Sequence, residues 1–272
     1  MNIMDQNRRR NFLKNGFLGS FLFSVSFPQG LDHLLESSVM KKEYNQSGRD
    51  DLARIKEGLA NMGKPLKWVF TGDSITQGAK HTLGFRSFPE IFSEHIRFEM
   101  NRSRDIIINT AVSGNASIDI LDDFQWRVEQ FKPDIVLIMA GTNDAAKVRN
   151  ISAVAFEGNM RSLIQRTRTL GAVPVLNTPP PILQDGSKSS LDRGATQEYI
   201  QAIHAVATKE EVLLVDHHEG WLKNHPGQEQ HKLMNDALHP NGRGHLAMAR
   251  ELFEYFDICQ SGSFACNGKV NF

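Results

Sequence analysis

Leu66-Lys67-Trp68-Val69-Phe70-Thr71-Gly72-Asp73-Ser74-Ile75-Thr76-Gln77-Gly78 joins a short apolar run to a polar turn bounded by glycines. The run is too short for a helix of ordinary length, and its aromatic and β-branched residues suit a buried strand. Four runs like it follow, at 106–112, 135–140, 173–177 and 212–215. Longer amphipathic stretches fill the gaps, at about 86–101, 117–131, 151–169, 194–210 and 242–256. Strand alternating with helix predicts one α/β domain, a five-stranded parallel sheet with helices on both faces. In such a sheet, functional residues are expected just beyond the carboxyl ends of the strands.

Those ends carry Gly72-Asp73-Ser74, Ser113-Gly114-Asn115, Gly141-Thr142-Asn143-Asp144, Thr178-Pro179-Pro180-Pro181 and Asp216-His217-His218. A further loop, Asp236-Ala237-Leu238-His239-Pro240, precedes the last helix. Ser74 opens a turn where a helix N-terminus would favour negative charge, so a nucleophile or a phosphate cradle fits. The Gly-Lys-Ser/Thr of a P-loop is missing, which weighs against the cradle. G-x-S-x-G is missing too, so this is not the α/β-hydrolase elbow. A serine nucleophile needs a base, and a histidine base needs a group that fixes its tautomer. Asp236 and His239 are spaced i, i+3, which puts both side chains on one face of a turn or helix. Gly114 can present an open backbone N–H and Asn143 a side-chain amide to a developing oxyanion. Taken singly, each of these residues fits an ordinary turn better than a catalytic role.

Together, the four blocks resemble those of the SGNH (GDSL-type) hydrolase family, in the same order, across residues 66–256. Gly72-Asp73-Ser74 looks like its GDS block, Ser113-Gly114-Asn115 its glycine block, Gly141-Thr142-Asn143-Asp144 its G-x-N-D block, and Asp236 to Pro240 its D-x-x-H-P block. The resemblance implies a flavodoxin-like three-layer α/β/α sandwich. It implies Ser74 as nucleophile and Asp236–His239 as the base pair, with the Ser74 N–H, Gly114 and Asn143 forming the oxyanion hole. The expected reaction is hydrolysis of a carboxylic ester through an acyl-enzyme, with no metal or organic cofactor. Gly-Asp-Ser-Ile-Thr is similar to the nucleophile block of many sugar deacetylases, so short acyl groups on carbohydrate are the expected substrate. Lipid esters, thioesters, or a non-catalytic carbohydrate-binding role on the same fold are the alternatives.

The surrounding sequence sets the context. Of 272 residues, 40% are hydrophobic and 23% charged, as in ordinary globular proteins. Lys+Arg and Asp+Glu number 31 each, so no basic excess points to nucleic acid. Arg8-Arg9-Arg10 and Lys14 precede an apolar run from Phe17 to Phe27, the order of an export signal, and Arg9-Arg10-Asn11-Phe12-Leu13-Lys14 resembles its twin-arginine form. The run falls short of the ~20 residues a spanning helix needs, so no stable membrane insertion is expected after processing. Residues 1–30 hold four of the basic residues and one acidic, so their removal leaves a mildly acidic chain. The expected organisation is an export signal at 1–30, a peripheral helical extension at 31–64, the hydrolase domain at 65–258 and a tail at 259–272. Cys259 and Cys266 are the two cysteines; in an exported chain they are expected to pair, two free thiols being the alternative.

Other residues invite a role. His217, His218, His225 and His231 fit no common zinc spacing, and their segment reads as a solvated loop bordering the site. Trp221 within it either lines the pocket or packs locally. Trp68 and Trp126 are expected in the core. Pro179-Pro180-Pro181 stiffens the loop after the fourth strand and is read as a pocket wall.

Overall fold

The computed structural model describes residues 46–78, 81–259 and 262–266. The predicted export signal lies outside them, as does most of the tail. Five strands form one parallel sheet: β1 Lys67–Thr71, β2 Ile106–Asn109, β3 Ile135–Met139, β4 Val173–Asn177 and β5 Leu213–Val215. Their spatial order is β2-β1-β3-β4-β5. Every residue of β3 and β4 is buried, as expected where helices cover both faces. The run that forms β2, read as a buried strand like the others, is instead half-exposed, because it lies at the edge of the sheet with a neighbour on one side alone.

Side chains alternate between the two faces along each strand. Trp68, Phe70, Leu137, Met139 and Val175 point into one core, shared with α1 (Gln46–Ala60), α3 (Phe88–Glu94) and α10 (Gly242–Phe256). Val69, Val136, Ile138 and Leu176 point into the other. There they meet α4 (Ser117–Asp122), α5 (Phe124–Arg127), α6 (Ala153–Thr169) and α8 (Thr196–Lys209). The remaining helices are α2 (Ser74–Gln77), α7 (Lys188–Asp192) and α9 (His217–Asn224). This is the expected three-layer α/β/α sandwich.

Several local expectations change. The 31–64 segment read as peripheral contributes α1, whose Ile55 and Leu59 are buried in the first core beside Trp68. The single helix expected over 117–131 is broken into α4, α5 and a 3₁₀ turn at Glu129–Phe131. The histidine-bearing loop is in part a helix. His217 opens α9 fully buried, its Nδ1 2.5 Å from Glu251 and its Nε2 3.2 Å from the Asn177 Oδ1. Trp221 is also fully buried, which settles it as local packing. Trp126, expected in the core, is 55% exposed, because the break after α4 turns that side of α5 outward. Cys259 and Cys266 form a disulfide, with their Cα atoms 5.8 Å apart.

The strand order also decides where a site can form. From β1 the chain crosses to β2 on one side and then returns to place β3 on the other. The loops leaving β1 and β3 therefore diverge above neighbouring strands and open a crevice at their carboxyl ends. The two ends approach closely at Gly72, where a Cβ would lie 2.7 Å from the Met139 carbonyl. Only a residue without a side chain allows that approach without displacing backbone.

Candidate active site

Ser74 is the first residue of α2, and Asp73 is its N-cap, accepting the Ile75 N–H at 2.9 Å. The Ser74 N–H is among the helix's first donors, which have no carbonyl within the helix to bond. Gly78 ends the helix in the left-handed region at φ 69°, donating its N–H to the Ser74 carbonyl at 3.0 Å. Ser74 is thus fixed by a cap on each side of one short turn. Burial is the main reason the Asp73 carboxyl is pushed up to about 7; Asp144 adds to the rise and the Ile75 N–H opposes it.

Asp236 and His239 come from the loop before α10, which is pinned at both ends. Met234 and Pro240 form an isolated antiparallel bridge, and the Asn235 N–H donates to the His239 carbonyl at 2.7 Å. Asn241 caps α10 by accepting the N–H groups of Arg243 and Gly244. Asp236 Oδ1 accepts the N–H groups of Leu238 and His239, both at 2.8 Å, in an Asx-type turn. His239 Nδ1 lies 2.8 Å from Asp236 Oδ2, and His239 Nε2 lies 2.9 Å from Ser74 Oγ. Burial raises the Asp236 carboxyl, but the hydrogen bonds from Leu238 and His239 outweigh it and hold Asp236 below its ordinary value. The carboxylate therefore stays charged and selects the tautomer with a proton on Nδ1, leaving Nε2 free to accept from Ser74.

The loop after β3 supplies Asn143. Its Nδ2 donates to the Asn115 carbonyl at 3.0 Å, which commits one of the two amide hydrogens and leaves the second for another acceptor. Arg193, just past α7, holds the other end of the same group: its Nη2 donates to Asn143 Oδ1 at 3.1 Å and its Nε to the Thr142 carbonyl at 3.0 Å. Asp144 braces the loop from inside. It accepts from the Gly141 N–H at 3.0 Å and from the Ser117 N–H at 2.9 Å and hydroxyl at 2.5 Å, linking β3 to the start of α4. Gly114 lies on the adjoining loop at φ 82°, a conformation that favours glycine, and that loop is tied to α2 by the Ser113 N–H on Gln77 Oε1 at 3.0 Å.

The structure thus brings Ser74, Asp236 and His239 into one hydrogen-bonded line and sets Asn143 and the Gly114 loop on its β3 and β2 sides. Pro179, Pro180 and Pro181 are buried, and the Leu183 N–H just after them bonds the Ala237 carbonyl at 2.9 Å, so this loop buttresses the Asp236–His239 turn. Three contributors carry no sequence signal of a role. They are Arg193, Ser117, and His81, whose ring stacks on His239 at 3.5 Å with its Nδ1 3.5 Å from Asp236. Among the described residues, His81, Asp236 and His239 are the one group spaced to hold a metal ion. Both ring nitrogens of His239 are already engaged, and the two imidazoles lie in near-parallel planes, so their lone pairs do not converge on one point.

The chain is similar in sequence and in fold to known proteins. The profile of the GDSL-like Lipase/Acylhydrolase family matches residues 70–247. An acetylxylan esterase of Geobacillus stearothermophilus is 26% identical over 205 residues, 70% of this chain and 93% of that one. The uncharacterized lipoprotein YqeF of Bacillus subtilis is 31% identical over 128 residues, 45% of this chain and 52% of its own. Among solved structures, an alpha/beta hydrolase from the Lake Arreo metagenome superposes with a TM-score of 0.63 at 24% identity, covering 74% of this chain and 100% of that one. The Geobacillus acetylxylan esterase superposes with a TM-score of 0.59 at 24% identity, covering 70% and 94%.

Proposed function

Since the chain belongs to the GDSL-like lipase/acylhydrolase family and is an ester hydrolase of that family, we propose that it removes short acyl groups, acetyl above all, from carbohydrate. The observation that carries the chemistry is the continuous line Ser74 Oγ, His239 Nε2, His239 Nδ1, Asp236, at hydrogen-bond distance throughout. His239 takes the Ser74 proton as Oγ attacks the ester carbonyl. The tetrahedral oxyanion is met by the N–H groups of Ser74 and Gly114 and by the uncommitted Nδ2 hydrogen of Asn143. The carbon–oxygen bond to the alcohol breaks as His239 returns the proton to it. Water then gives its proton to His239 and attacks the acyl-serine. The second tetrahedral state collapses to the free acid and restores Ser74. Asp236 stays ionised throughout and steadies the imidazolium.

The acetyl–carbohydrate part rests on the acetylxylan esterase relative, which spans nearly its whole length against this chain. Hydrolysis of p-nitrophenyl acetate, lost in Ser74→Ala, tests the chemistry. Acetylated saccharides set against acyl esters of increasing chain length test the substrate, and a preference for long acyl chains would overturn the carbohydrate reading. Export is part of the same proposal: the twin-arginine-like segment and the disulfide both suit an oxidising compartment. Undiminished export after Arg9→Lys and Arg10→Lys would remove the twin-arginine part of it.

A further inference from the structure

A groove of about 670 Å³ runs beside the Gly114 loop, with Asn115, Asp119, Asp122, Asp123, Trp126 and Arg127 among its lining. We propose that it is a saccharide subsite, in which one sugar ring of a neutral oligosaccharide lies on the Trp126 indole. This extends the carbohydrate reading above and rests on it for the identity of the ester.

Three observations carry the proposal. First, Trp126 is 55% exposed on a four-residue helix, while Trp68 and Trp221 are fully buried. An indole left half in water offers a flat apolar plane that suits the C–H face of a pyranose. Second, the groove is ringed by polar groups that match sugar hydroxyls: the carboxylates of Asp119, Asp122 and Asp123 accept, and a buried guanidinium donates. Arg127 is 2% exposed, its Nη1 bonds the Thr110 carbonyl at 3.0 Å and its Nη2 bonds Asn115 Oδ1. Its buried Nε makes no hydrogen bond, lying 3.8 Å from Asp123 Oδ2, so the groove wall keeps an unused donor. Third, the groove adjoins the proposed reaction centre through a shared residue. Asn115, held by Arg127 on its side chain, accepts the Asn143 amide on its carbonyl at 3.0 Å.

The charge pattern narrows the occupant. Asp119 is paired with Arg149 and Asp123 lies 3.8 Å from Arg127, yet carboxylates still outnumber guanidiniums around the groove, which disfavours an anionic ligand such as a uronate or a nucleic acid. The buried centre of a protein interface is depleted in carboxylates, so a protein partner fits less well. A neutral sugar chain satisfies the indole, the acceptors and the donor together.

The test is a fluorescence titration with unacetylated xylohexaose and cellohexaose. With the other two tryptophans buried, a shift of emission to shorter wavelength reports on Trp126. The expected result is a saturable blue shift, weakened in Asp122→Asn and in Asp123→Asn. In Trp126→Ala, calorimetry should show saccharide binding lost. On acetylated xylo-oligosaccharides, kcat/KM of Trp126→Ala should fall about tenfold more than on p-nitrophenyl acetate, mainly through KM, as expected for one lost stacking contact. Unchanged emission with both saccharides overturns the subsite. So do equal losses on the two substrates, or a concentration-dependent dimer that buries Trp126. The titration needs no ester, so it decides the subsite independently. The carbohydrate reading fails separately if acetylated saccharides are not cleaved.

Discussion

Replacing Arg193 with Met should lower kcat without touching any reacting atom. The Arg193 side chain is mostly buried and places a charged donor on Asn143 Oδ1 at 3.1 Å. A hydrogen bond to a charged group contributes about 1.5–3 kcal/mol. Without it, the Asn143 amide can turn over and present its oxygen, not its nitrogen, to the oxyanion. The turn is resisted by one remaining contact, because a flipped oxygen would face the Asn115 carbonyl, now 3.0 Å from Nδ2. The loss is therefore partial, about 1–2 kcal/mol, or roughly 5–30-fold in kcat with KM little changed. Arg193→Lys keeps the charge but not the two-point grip on Thr142 and Asn143, and should recover part of the rate. The decisive assay is a double-mutant cycle on p-nitrophenyl acetate, with thermal denaturation confirming that each variant is folded. If Arg193 acts through Asn143, its removal costs little more once Asn143 is already Ala. Fully additive losses, or an effect confined to KM, would refute the linkage.

Asn143→Ala itself should lower kcat by about 10²–10³-fold with KM nearly unchanged, by analogy with other oxyanion donors; normal kcat with raised KM would make it a substrate-positioning residue. His239→Ala should reduce kcat by several orders of magnitude, and Asp236→Asn should be severe as well, because the imidazole loses its orienting carboxylate. Retained activity in His239→Ala alongside loss in His217→Ala would overturn the assignment. The buried His245 accepts the Phe88 N–H, and burial first, then the charges of His239 and His81, push it down to about 3. Below pH 6.5 the unfolded chain gains a proton that native His245 refuses until about pH 3, so this group's contribution is full above 6.5 and is lost as pH falls. Asp73, pushed up to about 7, works in the opposite sense, so the quantity to measure is the difference between the parent and His245→Asn. Denaturant unfolding across that range should show the variant's stability falling less steeply, by up to one proton; identical slopes would reject the reading.

Much of the site was legible because its pieces are local. Asp236 and His239 meet across a three-residue turn, and Asp73 caps the helix that Ser74 opens, so neighbours in sequence already define both ends of the hydrogen-bonded line from Ser74 to Asp236. What was misread depends on how elements turn. Trp126 has the spacing of a core helix residue, yet the break between α4 and α5 leaves it in solvent. His217 has the polarity of a loop residue, yet Glu251 on α10 and Asn177 at the end of β4 give it partners inside the protein. Arg193 lies 50 residues from Asn143 and belongs to no motif.

By itself, the sequence determined the five short apolar runs, their alternation with helices and the polar blocks at the strand ends. Each of these follows from burial and chain direction over a few residues. The tertiary structure alone decided that the ends of β1 and β3 meet at Gly72, and that Ser74 faces a histidine 165 residues away. It also decided which side chains support the loops between them. Those facts depend on strand order and on contacts between distant segments, where the free energy of burial is shared by residues that no local pattern connects.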